Sequence, residues 1–187
     1  PGIFACALLN SQPMGFYTVS QIINDAKNHG VKIRPVCINN SLWDNAIERD
    51  KFNNLVLRIG FRQIKGLSKL IVEKIISVRK NGFQNVYDVW VRSNLSYQVI
   101  SKLVKSNCFI GLGIKREDAL WEAQRLRSQN RHSLFQNLLA DTDTKNSLSK
   151  IPNTTIGNEL LRDYKILNFS LSSHPMALLR NILNTKY

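Results

Sequence analysis

The residues best placed to do chemistry lie in the string Leu57-Arg58-Ile59-Gly60-Phe61-Arg62-Gln63-Ile64-Lys65-Gly66-Leu67-Ser68-Lys69. The helix expected after it carries Leu70, Ile71, Ile75, Ile76 and Val78 on a wide apolar face. A short helix, an apolar-x-Gly-apolar-small turn and a second helix form the helix-hairpin-helix pattern. Its chemistry belongs to the backbone. Gly66 permits a tight turn that aims the amides of residues 66 to 68 outward at the start of the second helix, where unpaired N–H groups and the helix dipole favour a phosphate oxygen. Arg62, Lys65 and Lys69 would add charge around that phosphate without touching a base.

A second string of the same kind, Cys108-Phe109-Ile110-Gly111-Leu112-Gly113-Ile114-Lys115-Arg116, follows a helix expected over Tyr97 to Ser106. Gly111, Leu112 and Gly113 form its turn, and Lys115 and Arg116 flank it. One such turn in a basic protein is equally well an ordinary helix–helix connection with solvated lysines. Two of them would hold duplex phosphates at two points. The charge distribution favours that reading: the 187 residues carry a formal net charge of +13, and residues 51–131 alone hold 16 basic and 5 acidic side chains. A polyanionic partner is the expected consequence.

The remaining chemistry is sparse. Cys6, Cys37 and Cys108 are far apart with no Cys-x-x-Cys spacing, which argues against a zinc site or a disulfide scaffold and suits a reducing cytoplasm. His29, His132 and His174 have no partner at metal-ligand spacing. His29 reads as a helix C-terminal residue over free carbonyls, and Trp43, Trp90 and Trp121 as core or contact anchors. Asp141 and Asp143 have Asp-x-Asp spacing but sit in a polar stretch without a strand, so no metal site is expected there. No run of 18 apolar residues occurs and mean hydropathy is −0.20, so no membrane partner is expected. The opening Pro1-Gly2-Ile3-Phe4 looks like the start of a fragment of something longer.

The elements that must position these turns follow from periodicity. A helix capped by Thr18 or Ser20 carries Val19, Ile22, Ile23 and Ala26 on one face and stops at Gly30. Short strands are expected over Val31 to Val36, Leu42 to Ile47 and Leu55 to Ile59, the last two reading as a hairpin around the polar loop Glu48 to Asn54. From Phe61 the period is helical, with helices over Lys69 to Asn81, Val86 to Arg92, from a Ser96 cap, and from Lys115 to Arg127. Two further helices cover Ile156 to Leu167 and begin at Pro175. The expected fold class is mainly α with a small β element, a tandem helix-hairpin-helix domain following an α/β segment.

Beyond this reading, the ordered strings Ala7-Leu8-Leu9-Asn10-Ser11-Gln12-Pro13-Met14-Gly15-Phe16-Tyr17, Asp25-Ala26-Lys27-Asn28-His29-Gly30-Val31, Arg34-Pro35-Val36, Ser41-Leu42-Trp43-Asp44, Ala119-Leu120-Trp121-Glu122-Ala123 and Leu171-Ser172-Ser173-His174-Pro175-Met176 resemble the bacterial DNA polymerase III alpha-subunit family, and most closely its error-prone, damage-inducible branch. The resemblance covers nearly the whole chain. It implies the end of a fingers region in residues 1–54, the tandem hairpin domain in 55–128, a linker in 129–156 and a helical approach to an OB-fold domain in 157–187. It implies duplex primer-template DNA as partner, together with mutagenesis accessory proteins. It also implies two magnesium ions held by palm carboxylates upstream of Pro1, with no catalytic residue and no cofactor within these residues.

Two departures from the family pattern stand out. Ser68 occupies a place where a second glycine is common; its hydroxyl could cap the following helix. In the linker, Ser133, Leu134 and Phe135 match the end of a sliding-clamp peptide, Gln-x-(Ser or Asp)-(Leu or Met)-Phe, whereas Arg131 stands where its Gln belongs. Two other functions compete with a polymerase segment. One is a free-standing hairpin DNA-binding or repair module. The other is a DNA glycosylase using Asp88, against which stands the absence of a lysine nucleophile in matching context.

Overall fold

The computed structural model describes residues 1–129, 155–172 and 174–186. Helix α1 (Gly2–Asn10) and helix α2 (Val19–Asn28) lead into strands β1 (Lys32–Arg34), β2 (Ala46–Arg49) and β3 (Leu55–Arg58). Six helices follow: α3 (Lys69–Val78), α4 (Val86–Ser93), α5 (Tyr97–Lys105), α6 (Arg116–Gln129), α7 (Ile156–Leu167) and α8 (Pro175–Lys186). The fold is mainly α with a small sheet, as expected. The sheet order is β1-β3-β2, with β1 parallel to β3 and β2 antiparallel to it. The expected division between residues 54 and 55 falls in the turn that joins β2 to this central strand.

Helix α2 forms where the sequence placed it, because Thr18 accepts from the Gln21 amide while the Gln21 side chain accepts from the Thr18 amide. Helix α1 was not expected. Its sequence Gly2-Ile3-Phe4-Ala5-Cys6-Ala7-Leu8-Leu9-Asn10 is apolar nearly all round and so lacks the alternation that marks a helix face, yet Ala5, Cys6 and Leu9 pack into the core. That core is continuous from α1 to Phe169 and includes Ile23, Leu57, Phe61, Ile75, Ile100, Leu103 and Phe109. Leu70, expected on the apolar face of α3, instead stands 77% exposed at the helix start.

Polar contacts fix the sheet to the first hairpin. Glu48 receives Arg58 at 3.0 Å and Arg34 at 3.2 Å, so one carboxylate separates two guanidinium groups on adjacent strands. Burial alone would raise the Glu48 carboxyl, but the hydrogen bonds and charges of Arg58 and Arg34 hold it below the usual carboxylate range. After β3 the chain passes so close to residues 43 and 44 that a Cβ on Gly60 would lie 2.4 Å from the Trp43 carbonyl oxygen, and no residue with a side chain fits. Asn45 Oδ1 accepts from the Gly60 amide at 3.0 Å, and the amides of Phe61 and Arg62 donate to the carbonyls of Leu42 and Trp43.

The lead-in to the first turn differs from expectation. The element before the first turn is a single 3-10 turn, Phe61–Gln63, not a helix. A helix is stopped by Ile64, already extended at φ −82°, ψ 117°, while the Phe61 and Arg62 amides, which a helix would leave free, anchor the turn to residues 42 and 43. The second hairpin has full helices on both sides, α5 and α6, joined through a 3-10 turn at Ile110–Leu112.

Candidate nucleic-acid interface

At the first hairpin, Gly66 has φ +68°, the left-handed region that favours glycine. Leu67 is buried beneath the turn, while Lys65, Gly66, Ser68 and Lys69 are exposed. The Lys65 amide donates to the Ile166 carbonyl at 3.0 Å, and the Leu67 amide donates to Ile64 at 3.3 Å, anchoring the turn from below. Among the described residues the amides of Gly66 and Ser68 find no acceptor, so both are available where α3 begins. Ser68 is the N-cap residue, but its hydroxyl makes no capping bond, contrary to the role its type suggested.

At the second hairpin the two glycines serve different purposes. Gly113 has φ +77° and needs its conformational freedom. Gly111 needs its small size, because a Cβ there would lie 2.6 Å from Cys37 Sγ. Leu112 is partly buried against the core and Lys115 is exposed. The amides of Leu112 and Gly113 close the 3-10 turn onto Phe109 and Ile110, whereas those of Gly111, Ile114 and Lys115 have no acceptor among the described residues.

The two arginines expected beside the turns are placed otherwise. Arg62 donates from Nη1 to the Asn10 carbonyl at 2.6 Å and to Asp44 Oδ1 at 2.7 Å, and from Nη2 to the Gln12 carbonyl at 3.1 Å. Arg116 is buried and paired with Asp163, whose other oxygen accepts from Ser170 Oγ at 2.6 Å. Neither offers a free guanidinium. The same division runs through the basic stretch: Arg79 donates to the carbonyls of Ile38 and Ser41, and Arg92 to those of Val78 and Gly82 while lying 4.6 Å from the Phe83 ring centroid. Planar, multidentate guanidinium groups satisfy buried carbonyls; the flexible, strongly hydrated lysines remain at the surface.

One lysine was missed by sequence reading. Lys102 Nζ donates to the Gly66 carbonyl at 2.7 Å, so α5, the lead helix of the second hairpin, places an ammonium on the turn of the first. Its spacing from Gly66 in the chain gave no sign of this contact.

The other candidates have plain structural settings. Asp88 Oδ2 accepts from the Gln84 amide and from Arg92, which leaves it a capping residue of α4. His29 is the C-cap residue of α2, with Nδ1 2.9 Å from the Asp25 carbonyl. Trp43 and Trp90 pack against the core and Trp121 is half exposed. Cys6, Cys37 and Cys108 are free and buried, and burial pushes the Cys108 thiol far up. Among the described residues no three His, Cys, Asp or Glu side chains stand close enough to hold a metal ion, and no helix is long and apolar enough to cross a membrane. Ser133, Leu134, Phe135, His132, Asp141 and Asp143 lie outside the described residues.

Residues 30–119 match the helix-hairpin-helix motif family, a span that contains both turns. The chain is 41% identical over 180 residues to the error-prone DNA polymerase of Ruegeria pomeroyi, covering 96% of this chain and 16% of that protein. It is 37% identical over 204 residues to the error-prone DNA polymerase of Mesorhizobium japonicum, covering 98% of this chain and 18% of that protein. The corresponding protein of Brucella abortus is 38% identical over 180 residues, with 96% of this chain and 17% of that protein covered. The chain therefore spans less than a fifth of the length of the curated relatives it matches.

Proposed function

We propose, from the homology of nearly this whole chain to a segment of the error-prone DNA polymerases, that it is a DNA-holding part of such a polymerase. The observation that carries this reading is the pair of glycine turns with unpaired amides and exposed lysines, inside the region that matches the helix-hairpin-helix family. The amides of Gly66 and Ser68 at one turn, and of Gly111, Ile114 and Lys115 at the other, receive phosphate oxygens. Lys65, Lys69 and Lys115 supply charge. No base edge is read, so grip is independent of sequence, as copying any template requires.

The parent enzyme on this reading is a DNA-directed DNA polymerase acting in damage-induced or translesion synthesis. Its nucleotidyl transfer would rest on two magnesium ions held by carboxylates outside these residues. The sliding clamp, met by Ser133, Leu134 and Phe135, and mutagenesis accessory proteins are its further partners.

Lys102 belongs to the same phosphate site, as a cation reaching the first hairpin from the second. Binding of the chain to two blunt duplexes of unrelated sequence, measured against salt concentration, tests the proposal. Equal affinities are expected, and Lys102→Met should reduce the slope of log affinity against log salt by about 0.9, the contribution of one phosphate contact. A marked preference for one sequence, or affinity insensitive to salt, would overturn it.

A further inference from the structure

The turn between β2 and β3 holds an exposed aromatic ring that the hairpins do not use. Phe52 is 83% exposed at its tip, and Leu55 beside it is 46% exposed. The turn is nonetheless tightly built. Asp50 Oδ1 accepts from the amides of Phe52 and Asn54, both at 2.9 Å, the Asp50 amide donates to the Asn54 carbonyl at 2.9 Å, and Asn53 takes φ +64°. A ring carried on an ordered turn needs little further backbone ordering to bind.

The charges around it are chiefly positive. Lys51, which precedes the ring in the chain, is exposed. Arg49 lays its guanidinium on the carbonyl and side-chain oxygens of Asn53, at 3.2 and 3.0 Å. Lys32 reaches the tip from β1, 3.5 Å from Asp50. The two nearby carboxylates are occupied, Asp50 by the turn amides and Lys32, and Glu48 by Arg34 and Arg58. An aromatic face set among cations is the arrangement that stacks a base while neutralising its phosphate.

We infer that Phe52, with Lys51 and Arg49, is a stacking site for an unpaired nucleotide of single-stranded DNA. This rests on the reading that the chain holds DNA, but it concerns a surface at the opposite end of β3 from the first hairpin. Stacking needs an unpaired base, so the site discriminates between strand types where the hairpins do not discriminate between sequences.

The test compares the full chain and its Phe52 variants on single-stranded oligodeoxythymidine and on a blunt duplex. Phe52→Ala should weaken single-strand binding by about five- to a hundredfold, the range expected for one stacked base, and leave the duplex unchanged. Phe52→Trp should retain single-strand affinity and show quenched fluorescence on binding. Phe52→Leu, apolar without an aromatic face, should behave like Phe52→Ala. Thermal melting verifies that each variant is folded. Equal single-strand affinity for the wild type and Phe52→Ala, or an equal loss on both probes, would overturn the inference. Failure of the hairpin reading is separately visible, as unchanged duplex binding when the hairpin lysines are altered.

Discussion

Replacing Lys65, Lys69 and Lys115 together by Glu is expected to weaken duplex binding by about two to three orders of magnitude at low salt, and to lower its salt slope by about 2.7. The slope follows from three phosphate contacts at about 0.9 each, and the extra loss at low salt from repulsion between the introduced carboxylates and the backbone. The fold should survive. Lys65 and Lys115 are exposed with no carboxylate partner among the described residues, and Lys69 stands 4.0 Å from Glu73 with its side chain 63% exposed. Lys69→Glu also places an acid in the first turn of α3, where the helix dipole favours it, offsetting an i,i+4 repulsion from Glu73 of a few tenths of a kcal/mol. Titration of a labelled duplex at several salt concentrations measures both quantities, and an unchanged slope would remove these lysines from the interface.

Arg116→Ala should have a different effect, a loss of about 3 to 5 kcal/mol in folding stability. Arg116 and Asp163 are both buried, and removal of the guanidinium leaves a carboxylate at the α6–α7 junction with Ser170 as its remaining donor among the described residues. The pair also places a cation at the first turn of α6, the end where the dipole disfavours it, and Asp163 neutralises that charge. Arg116→Glu would be worse, since two carboxylates would then face each other in a dry site. The double replacement Arg116→Met with Asp163→Leu should recover much of the loss, because neither charge remains unpaired. Urea denaturation followed by circular dichroism decides the matter. A change below about 1 kcal/mol for Arg116→Ala would mean that the pair is not buried in solution.

The contrast between these two variants marks where the sequence was legible. Glycine turns could be read directly, because Gly66 and Gly113 are positions that a left-handed backbone requires. Helices α2 to α8 could be read from periodicity and caps. The reach of individual side chains could not. Arg62 and Arg116 flank the turns in the chain just as Lys65 and Lys115 do, yet their partners, Asn10, Gln12, Asp44 and Asp163, lie on elements brought together only by folding.

The same limit hid Lys102, whose partner Gly66 is 36 residues away. Helix α1 was missed for the opposite reason: a nearly uniform apolar string has no polar side to reveal its period. Gly111 shows that one residue type can answer two demands, since its neighbour Cys37 Sγ forbids a side chain whatever the backbone angles. The charge of +13 suggests a polyanionic partner, but much of the arginine within it holds the protein together.

Backbone amides make the proposed grip, so the most direct measurement follows those amides one by one. In a nitrogen–proton correlation spectrum of the labelled chain titrated with a short blunt duplex, the signals of Gly66, Ser68, Gly111, Ile114 and Lys115 should move most, and in the same way for two unrelated sequences. Hairpin signals that stay in place while another surface responds would contradict the account.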